Sequence, residues 1–254
     1  MTHHLIAKLQ WKITVAAILF GIAATASFAA ETDFEQCRQL FSNGNPPVIK
    51  HQEPLQPRAL CFNAFAILHS GISRTPIYVA QRINKELVEA KITRATNFFS
   101  DARLPSAERA ELEDYKGSGF DRGHMAPAGD MATEEAMAQS FSLANVVPQY
   151  SINNRKSWAG IERATRKYVM RATGDVFVIT GPVFDGISPT IGTRKVWVPQ
   201  HLFKLVYDPN TNRAWAHWLD NTDEARVGKP ISYEELVQRT GIEFLPSYTT
   251  VAEK

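Results

Sequence analysis

Residues 121–127 read DRGHMAP, a run that places an arginine, a glycine and a histidine at consecutive positions. In an extended strand alternate side chains share a face, so Arg122 and His124 point the same way. An arginine holds a phosphate with a fork of N–H donors, and a neutral histidine accepts a proton from water near neutral pH. Gly123 leaves room for another backbone or a ligand, and Pro127 ends the strand. Because an isolated His–Arg pair is more often structural than functional, this run needs a partner elsewhere in the chain.

A second informative segment covers residues 145–166 and reads NVVPQYSINNRKSWAGIERATR. Apolar residues near helical spacing predict a helix over residues 155–172, which Gly174 ends. Four side chains recur every fourth residue and would form one stripe on the helix surface: Asn154, Trp158, Glu162 and Arg166. An amide, an indole, a carboxylate and a guanidinium are an unusual set for plain packing. The alternative is a solvated helix face with the tryptophan in the core.

The spacing of this stripe limits how a metal ion could be bound. Asn154 and Glu162 would lie about 12 Å apart along a helix, so they cannot both ligate one Mg²⁺ directly. Mg²⁺ keeps several waters and takes few protein ligands. The position of Asn154 at the helix start favours it as the ligand, with Glu162 orienting metal-bound water. Asn153 is an adjacent amide, but only Asn154 has partners four and eight residues further on.

Three motifs resemble those of the DNA/RNA non-specific endonuclease family, namely DRGHMAP, NVVPQ and the N-x3-W-x3-E pattern at residues 154–162. This family belongs to the ββα-metal nuclease superfamily and includes endonuclease G-like enzymes. The resemblance covers about residues 35–207, with further similar segments at 60–76, 94–101 and 178–182. It implies an α+β fold in which a central antiparallel sheet is flanked by helices and a ββα-metal finger forms the active site.

The resemblance also implies a role for each matching side chain. His124 would be the general base that activates water, Asn154 the sole protein ligand of a hydrated Mg²⁺, and Glu162 the acceptor of hydrogen bonds from the metal's waters. Mn²⁺ is the expected substitute for Mg²⁺. The other site residues orient the site or stabilise phosphate charge: Asn145 in the first role, and Arg122, Arg166 and Arg94 in the second, with Arg103 competing with Arg94.

The function expected from these motifs is an exported endonuclease without sequence preference. It would hydrolyse phosphodiester bonds of DNA and RNA by one-metal catalysis and leave 5′-phosphate ends. The sequence shows no zinc finger, basic helix or ribonucleoprotein motif, so contacts to the phosphate backbone should dominate and activity should fall with salt. Two alternatives stay open: a metal-dependent phosphodiesterase for small substrates, and a module that binds nucleic acid without cutting it. A homodimer is compatible with the sequence.

The N-terminal residues predict a secretory signal peptide over residues 1–29. Lys8 and Lys12 precede an apolar run over residues 13–24, and small residues follow up to an A-x-A-like end. A membrane anchor is the alternative, but the run is short for a span, which needs roughly 20 apolar residues. Cleavage would leave residues 30–254 as a single nuclease domain, free of the membrane and located in the periplasm or the medium.

Loss of that segment would also change the charge of the protein. The full chain holds 28 basic and 26 acidic residues, and the segment contains two lysines and no acid, which leaves 26 of each. Domains that bind nucleic acids often carry a basic excess. Phosphate binding must therefore come from a local cluster of basic side chains.

Both cysteines, Cys37 and Cys61, lie beyond the predicted signal peptide. In an oxidising compartment such a pair commonly forms a disulfide, and we expect one here. The alternative is two buried free thiols. Two cysteines alone are too few for a zinc site, which usually has four ligands.

Hydrophobic patterning predicts a mixture of strands and helices. A helix is expected over residues 133–143 with Thr133 as its N-cap, and another after a capping box at Ser232. The absence of a regular βαβ rhythm favours an α+β class over a doubly wound sheet. Strands are expected at residues 59–68, 76–83, 175–180, 195–207 and 214–219, the last two joined by a turn at residues 208–210.

Overall fold

A seven-stranded antiparallel sheet lies at the centre of the fold. The structure is a computed structural model that describes residues 33–49 and 55–249. In spatial order the sheet consists of β12 (Ile231–Ser232), β11 (Arg213–Asp220), β10 (His201–Asp208), β7 (Val176–Val183), β4 (Thr75–Ile83), β3 (Phe65–Ser70) and β2 (Pro57–Cys61). Three two-stranded pairs accompany it within these ranges: β1 (Val48–Ile49) with β13 (Ile242–Glu243), β5 (Asp121–His124) with β6 (Val146–Gln149), and β8 (Thr190–Ile191) with β9 (Val196–Trp197).

The α-helices are short and begin with side-chain caps at two predicted positions. They are α1 (Lys85–Glu89), α2 (Leu112–Tyr115), α3 (Glu134–Ser140), α4 (Ala159–Val169) and α5 (Tyr233–Thr240). The Thr133 hydroxyl accepts a hydrogen bond from Ala136 N, and the Ser232 hydroxyl accepts one from Glu235 N, both over 3.1 Å. Each side chain satisfies an N–H group that has no partner inside its helix, which confirms both predicted caps.

The predicted strand over residues 59–68 is wrong, because this run forms two strands. Phe62 N donates to Phe65 O over 2.9 Å and closes a tight turn between β2 and β3. Asn63, at the tip of this turn, is the turn-forming residue that the apolar composition of the run concealed. The predicted strand at 195–207 is also too long, since β10 begins only at His201. The strands expected at 76–83, 175–180 and 214–219 are confirmed within a few residues.

Both faces of the central sheet are buried, and successive residues of each strand pack into different hydrophobic clusters. Ile67 and Val79 pack on one face with Trp158 and Ile161 of the segment that follows β6. Their strand neighbours, such as Tyr78, pack on the opposite face with α5 and the N-terminal 3₁₀ turns. This alternation follows from the two-residue period of a strand. The expected α+β fold, a central antiparallel sheet flanked by helices, is therefore confirmed.

The disulfide between Cys37 and Cys61 is present, with 5.7 Å between the two Cα atoms. It joins the 3₁₀ helix Glu35–Leu40 to the end of β2. The predicted signal peptide at residues 1–29 lies outside the described residues and stays a prediction. Within the described ranges, no helix has the length and apolar character needed to cross a bilayer.

Candidate active site

A cavity of about 490 Å³ opens beside β5 and α4 and collects most of the predicted site residues. Six of the seven line it: Arg94, Arg122, His124, Asn154, Glu162 and Arg166. The sequence did not single out several other residues of its wall, which include Phe98, Phe120 and Arg155. Three segments that are separated in sequence thus meet at one concave surface lined with charged and aromatic side chains.

His124 ends β5 and is enclosed, with 9% of its surface exposed. The rings of Phe98 and Phe141 lie 5.2 Å and 4.9 Å from the imidazole, measured between centroids. Its buried Nε2 atom has no hydrogen-bond partner among the described residues. Burial, with the positive charges of Arg94 and Arg122, lowers the pKa of His124 to about 3. The imidazole is therefore neutral at pH 7 in the free site.

Asn145 lies outside the cavity and holds the backbone that follows His124. Its Oδ1 accepts from Ala126 N over 2.9 Å, and its Nδ2 donates to Ala126 O and Ser140 O over 2.9 and 2.8 Å. The side chain is fully buried, so it cannot contact a substrate. Its expected role in orienting the site agrees with this position, whereas a direct role in catalysis does not.

Asn154 lies at the cavity wall and is anchored by Asp121. Its Nδ2 donates to Asp121 Oδ2 over 3.0 Å, while Arg155 donates two hydrogen bonds of 2.8 and 2.7 Å to the same carboxylate. Burial alone would raise the pKa of Asp121, but these hydrogen bonds and the charge of Arg155 bring that pKa below its ordinary value. Asp121 therefore pairs inside the fold and fixes the Asn154 amide, which leaves the amide oxygen as the available ligand atom.

Asn153 is committed to the fold instead. Its Oδ1 accepts from Gln149 Nε2 over 2.7 Å, and its Nδ2 donates to Asp220 O and Thr222 O over 2.7 and 3.1 Å. The side chain is fully buried and does not line the cavity. Of the two adjacent amides, only Asn154 is placed to meet a cation there.

The predicted continuous helix over residues 155–172 is wrong at its start, where Asn153–Trp158 is a π-helix. Ala159 N donates to Asn154 O, a bond that joins residues five apart. Asn154 therefore shares a face with Ala159. Glu162 and Arg166 follow Ala159 at helical spacing and lie on the same face. Trp158 turns away and is 1% exposed in the core, so the predicted stripe of four does not form.

Glu162 is a half-buried carboxylate at the base of the cavity. Burial raises its pKa to about 7; Lys204 and Arg166 counteract this effect, and Asp130 adds to it. Lys204 is fully buried, donates to Thr180 Oγ1 over 2.7 Å and lies 5.5 Å from the centre of the Trp158 ring. The site thus contains a carboxylate whose charge depends on buried neighbours, which the sequence did not reveal.

The arginines at the cavity lie over aromatic rings or beside a carboxylate. The Arg122 guanidinium carbon is 4.5 Å from the centre of the Phe98 ring, and that of Arg94 is 5.2 Å from the Phe141 ring. Arg166 Nη1 donates to Asp130 Oδ1 over 2.8 Å. Stacking of this kind orients a guanidinium while its edge N–H groups stay available to an anion.

Arg103, the competitor of Arg94, is occupied elsewhere. It makes a bidentate ion pair with Asp101, with bonds of 2.9 and 2.7 Å, and donates to Cys61 O over 2.8 Å. It does not line the cavity, whereas Arg94 does. The structure therefore favours Arg94 as the arginine that can reach a phosphate.

The donor set of the cavity fits a hydrated magnesium ion. Mg²⁺ prefers oxygen ligands and keeps most of its waters. The fixed Asn154 amide offers one neutral oxygen, and the Glu162 carboxylate on the same face can accept hydrogen bonds from bound waters. Neither group requires a change of fold to act in this way.

Comparisons with known proteins agree with this geometry. A family model described as DNA/RNA non-specific endonuclease matches residues 44–250. "Nuclease C1" of Cunninghamella echinulata var. echinulata is 41% identical over 133 residues, which are 48% of this chain and 52% of that protein. "Nuclease EXOG, mitochondrial" of Mus musculus is 38% identical over 153 residues, 56% of this chain and 41% of that protein. The chain spans about half the length of the curated relatives it matches.

The fold also matches a solved structure. The chain resembles one in "Crystal structure of the EndoG/EndoGI complex: Mechanism of EndoG inhibition", with a TM-score of 0.66 and 22% identity. The match covers 72% of this chain and 84% of that one. At this level of identity the likeness concerns the fold, and it supports the ββα arrangement around the cavity.

The names of the relatives correct one expectation. The Mus musculus relative and several other matched nucleases are named mitochondrial, so the expected export to the periplasm or the medium is wrong. A basic start followed by an apolar run reflects targeting in general terms, and its composition alone did not identify the compartment. The disulfide was expected on the basis of export; it is present although that basis is lost.

Proposed function

The chain belongs to the DNA/RNA non-specific endonuclease family, and from this membership we propose that it hydrolyses phosphodiester bonds of DNA and RNA at the cavity around His124. The observation that carries the proposal is a neutral, enclosed histidine beside Arg94 and Arg122, in the same cavity as Asn154 and Glu162. We assign this activity to a single nuclease domain over residues 30–254. The match of the family model to residues 44–250 supports that extent.

His124 acts as the general base. It takes a proton from a water molecule that attacks phosphorus in line with the 3′-oxygen. The bond from phosphorus to that oxygen breaks, and the oxygen takes a proton from solvent water, which leaves 5′-phosphate and 3′-hydroxyl ends. In the free site the charges of Arg94 and Arg122 contribute to its low pKa. A bound phosphodiester offsets that positive potential, so the pKa of His124 rises towards the working pH when the substrate binds. The same arginines thus hold the phosphate and make the basicity of His124 depend on whether a phosphate is bound.

Asn154 holds a divalent cation through Oδ1, and Glu162 accepts hydrogen bonds from the cation's waters. The family acts with a divalent metal, and we propose Mg²⁺ because the available ligands are oxygen atoms, with Mn²⁺ as a substitute. When bound, the ion neutralises charge on the phosphate and on the leaving oxygen. Asp121 and Arg155 keep the Asn154 amide oriented for this purpose.

Arg94, Arg122 and Arg166 bind phosphate oxygens and stabilise their charge. These contacts position the backbone but carry no information about bases, so cleavage proceeds with little sequence preference on DNA and RNA. The formal net charge of the chain is only +2, so this local cluster supplies the attraction. Raising the salt concentration therefore lowers the rate, because each phosphate contact releases counterions.

Nicking of supercoiled plasmid tests the proposed activity. We expect nicking with Mg²⁺, none with excess chelator, and a loss of about 10²–10⁴-fold in His124→Ala. His201→Ala is the matched control, because His201 lies outside the cavity and is bound by Asp185 and Asp220, each at 2.8 Å. Near-native nicking by a folded His124→Ala protein would refute its role as the base.

A small phosphodiester, bis(4-nitrophenyl) phosphate, separates the endonuclease from its alternatives. A nuclease that depends on the arginine cluster should cleave plasmid far more efficiently than this compound. Hydrolysis of the small diester without plasmid nicking would identify a small-molecule phosphodiesterase. Plasmid binding without hydrolysis of either compound would identify a non-cutting module. End-labelling of the products with polynucleotide kinase before and after phosphatase treatment checks the 5′-phosphate.

A further inference from the structure

An aromatic pair lies at the rim of the cavity and is not explained by the proposed chemistry. Phe120 lines the cavity immediately before β5, and Tyr150 follows β6. The last paired positions of these strands are Asp121 and Gln149, so Phe120 and Tyr150 face each other just beyond the ladder. Their ring centroids are 4.8 Å apart and their planes meet at 71°.

Tyr150 has no role in the core of the described structure. It is absent from every hydrophobic cluster there, and 39% of its surface is exposed. Its backbone carbonyl accepts from Asn154 N over 2.9 Å, and its N–H donates to Asn221 Oδ1 over 3.2 Å. These backbone bonds do not require an aromatic side chain. Phe120 contacts a small cluster only at its edge.

The strand places this pair in line with the catalytic face. Phe120 directly precedes β5, Arg122 and His124 alternate within it, and all three side chains line the cavity. Phe120 and Arg122 are separated by about 6.6 Å along the strand, at 3.3 Å per residue. A phosphate held by Arg122 therefore brings the base of a neighbouring nucleotide within reach of the pair.

Positive charge surrounds the same rim. Arg122 and Arg155 line the cavity beside Phe120, and the Arg155 side chain is 71% exposed although it pairs with Asp121. Lys156 follows in the π-helix and is exposed. Aromatic faces next to a positively charged groove are the combination by which proteins bind single strands, where unpaired bases stack on the rings. A paired base inside a duplex keeps its own stack and cannot use such a surface.

We propose that Phe120 and Tyr150 form a platform on which an unpaired base of a DNA or RNA single strand stacks, next to the phosphate at Arg122. The inference rests on the proposed nuclease function and adds a substrate class to it: strands with unstacked bases bind more tightly than intact duplex of the same charge. Tyr150 supplies the exposed ring, and Phe120, which lines the cavity, contacts it in an edge-to-face arrangement.

Binding in excess chelator tests the platform without cleavage. Fluorescence anisotropy would compare a labelled oligothymidylate with a hairpin duplex of equal phosphate number. Loss of one stacked base predicts about tenfold weaker single-strand binding by Tyr150→Ala and little change in duplex binding. Tyr150→Phe keeps the ring and should bind as the wild type does. Ile187→Ala, at a residue 98% exposed and outside the cavity, controls for loss of surface apolar area.

An abasic site in the oligonucleotide gives a direct test of stacking. When one abasic site is moved along the strand, wild-type affinity should fall at one position of that site. The affinity of Tyr150→Ala should not change at the same position, because the abasic site and the substitution remove the same contact. Equal single-strand affinity of wild type and Tyr150→Ala, or an abasic effect that persists in the variant, would overturn the platform. Wild-type nicking with Mg²⁺ is measured in parallel, and its absence would instead refute the nuclease function.

Discussion

Asn153 and Asn154 are adjacent amides with opposite expected effects when each is replaced by alanine. Asn153→Ala removes three hydrogen bonds in a fully buried setting and leaves Gln149 Nε2, Asp220 O and Thr222 O without that partner. At about 1 kcal/mol or more for each bond, the loss is roughly 3–5 kcal/mol. For a domain of this size it corresponds to a decrease in Tm of about 6–20 °C.

Asn154→Ala removes one hydrogen bond, to an Asp121 carboxylate that keeps both bonds from Arg155. The expected cost is about 1 kcal/mol, or a decrease of about 2–4 °C in Tm. Its effect on activity should be far larger, because it removes the proposed ligand atom. Loss of groups that merely support a ligand costs about 10–100-fold in metal affinity or activity, so we expect a loss of at least about 100-fold here.

Thermal unfolding followed by circular dichroism, together with Mg²⁺ titration of plasmid nicking at 20 °C below the lower Tm, separates the two effects. Asn153→Ala should unfold early yet titrate like the wild type while folded. Asn154→Ala should stay folded and require much more Mg²⁺ or fail to respond. A normal Mg²⁺ titration in Asn154→Ala, with a shifted titration in Asn153→Ala, would refute the assignment of the ligand.

Three further outcomes follow from the geometry. Burial lowers the pKa of His124 to about 3, so between about pH 6.5 and 3 the unfolded chain binds more protons than the folded chain, and stability decreases as the pH is lowered through that window. A weaker dependence of Tm on pH in His124→Ala would show it. Arg94→Ala should raise the KM for plasmid with little change in Tm, whereas Arg103→Ala should lower Tm and leave KM unchanged; the reverse result would reassign the phosphate arginine. Reduction of Cys37–Cys61, with a sequence separation of 24, should cost about 3.5 kcal/mol from loop closure without abolishing nicking; an unchanged Tm with reductant would contradict this.

The shared orientation of Arg122 and His124 was predictable because it depends on local periodicity. Arg122 and His124 share a side of β5 through strand alternation, and Thr133 and Ser232 cap helices because their hydroxyls reach an N–H three residues on. The family motifs then connected β5 to the helix that follows β6. Each of these inferences needs only a short stretch of chain and a known period.

The predictions that failed depended on features that composition and periodicity do not show. The apolar run that holds β2 and β3 looks like one strand, and only the pairing of Phe62 with Phe65 shows the turn. Spacing favoured Asn154 over Asn153, but the hydrogen bonds that commit Asn153 to Asp220 O and hold Asn154 against Asp121 are visible only in the structure. Lys204 acts on Glu162 from β10 of the central sheet, a neighbour that the sequence around Glu162 does not reveal. The cellular compartment was likewise not determined by composition.

The π-helix at Asn153–Trp158 has a consequence for how this protein can change. One additional residue in the turn sets the rotational phase between Asn154 at the cavity and Trp158 in the core. That phase depends on the number of residues in the turn. Substitution of an exposed side chain there, such as Lys156, leaves the number unchanged, whereas an insertion or a deletion alters it. Deleting one residue there would restore an ordinary helical turn and rotate either Asn154 from the cavity or Trp158 from the core. Single-residue deletions should therefore be far more damaging here than any substitution at the same exposed positions.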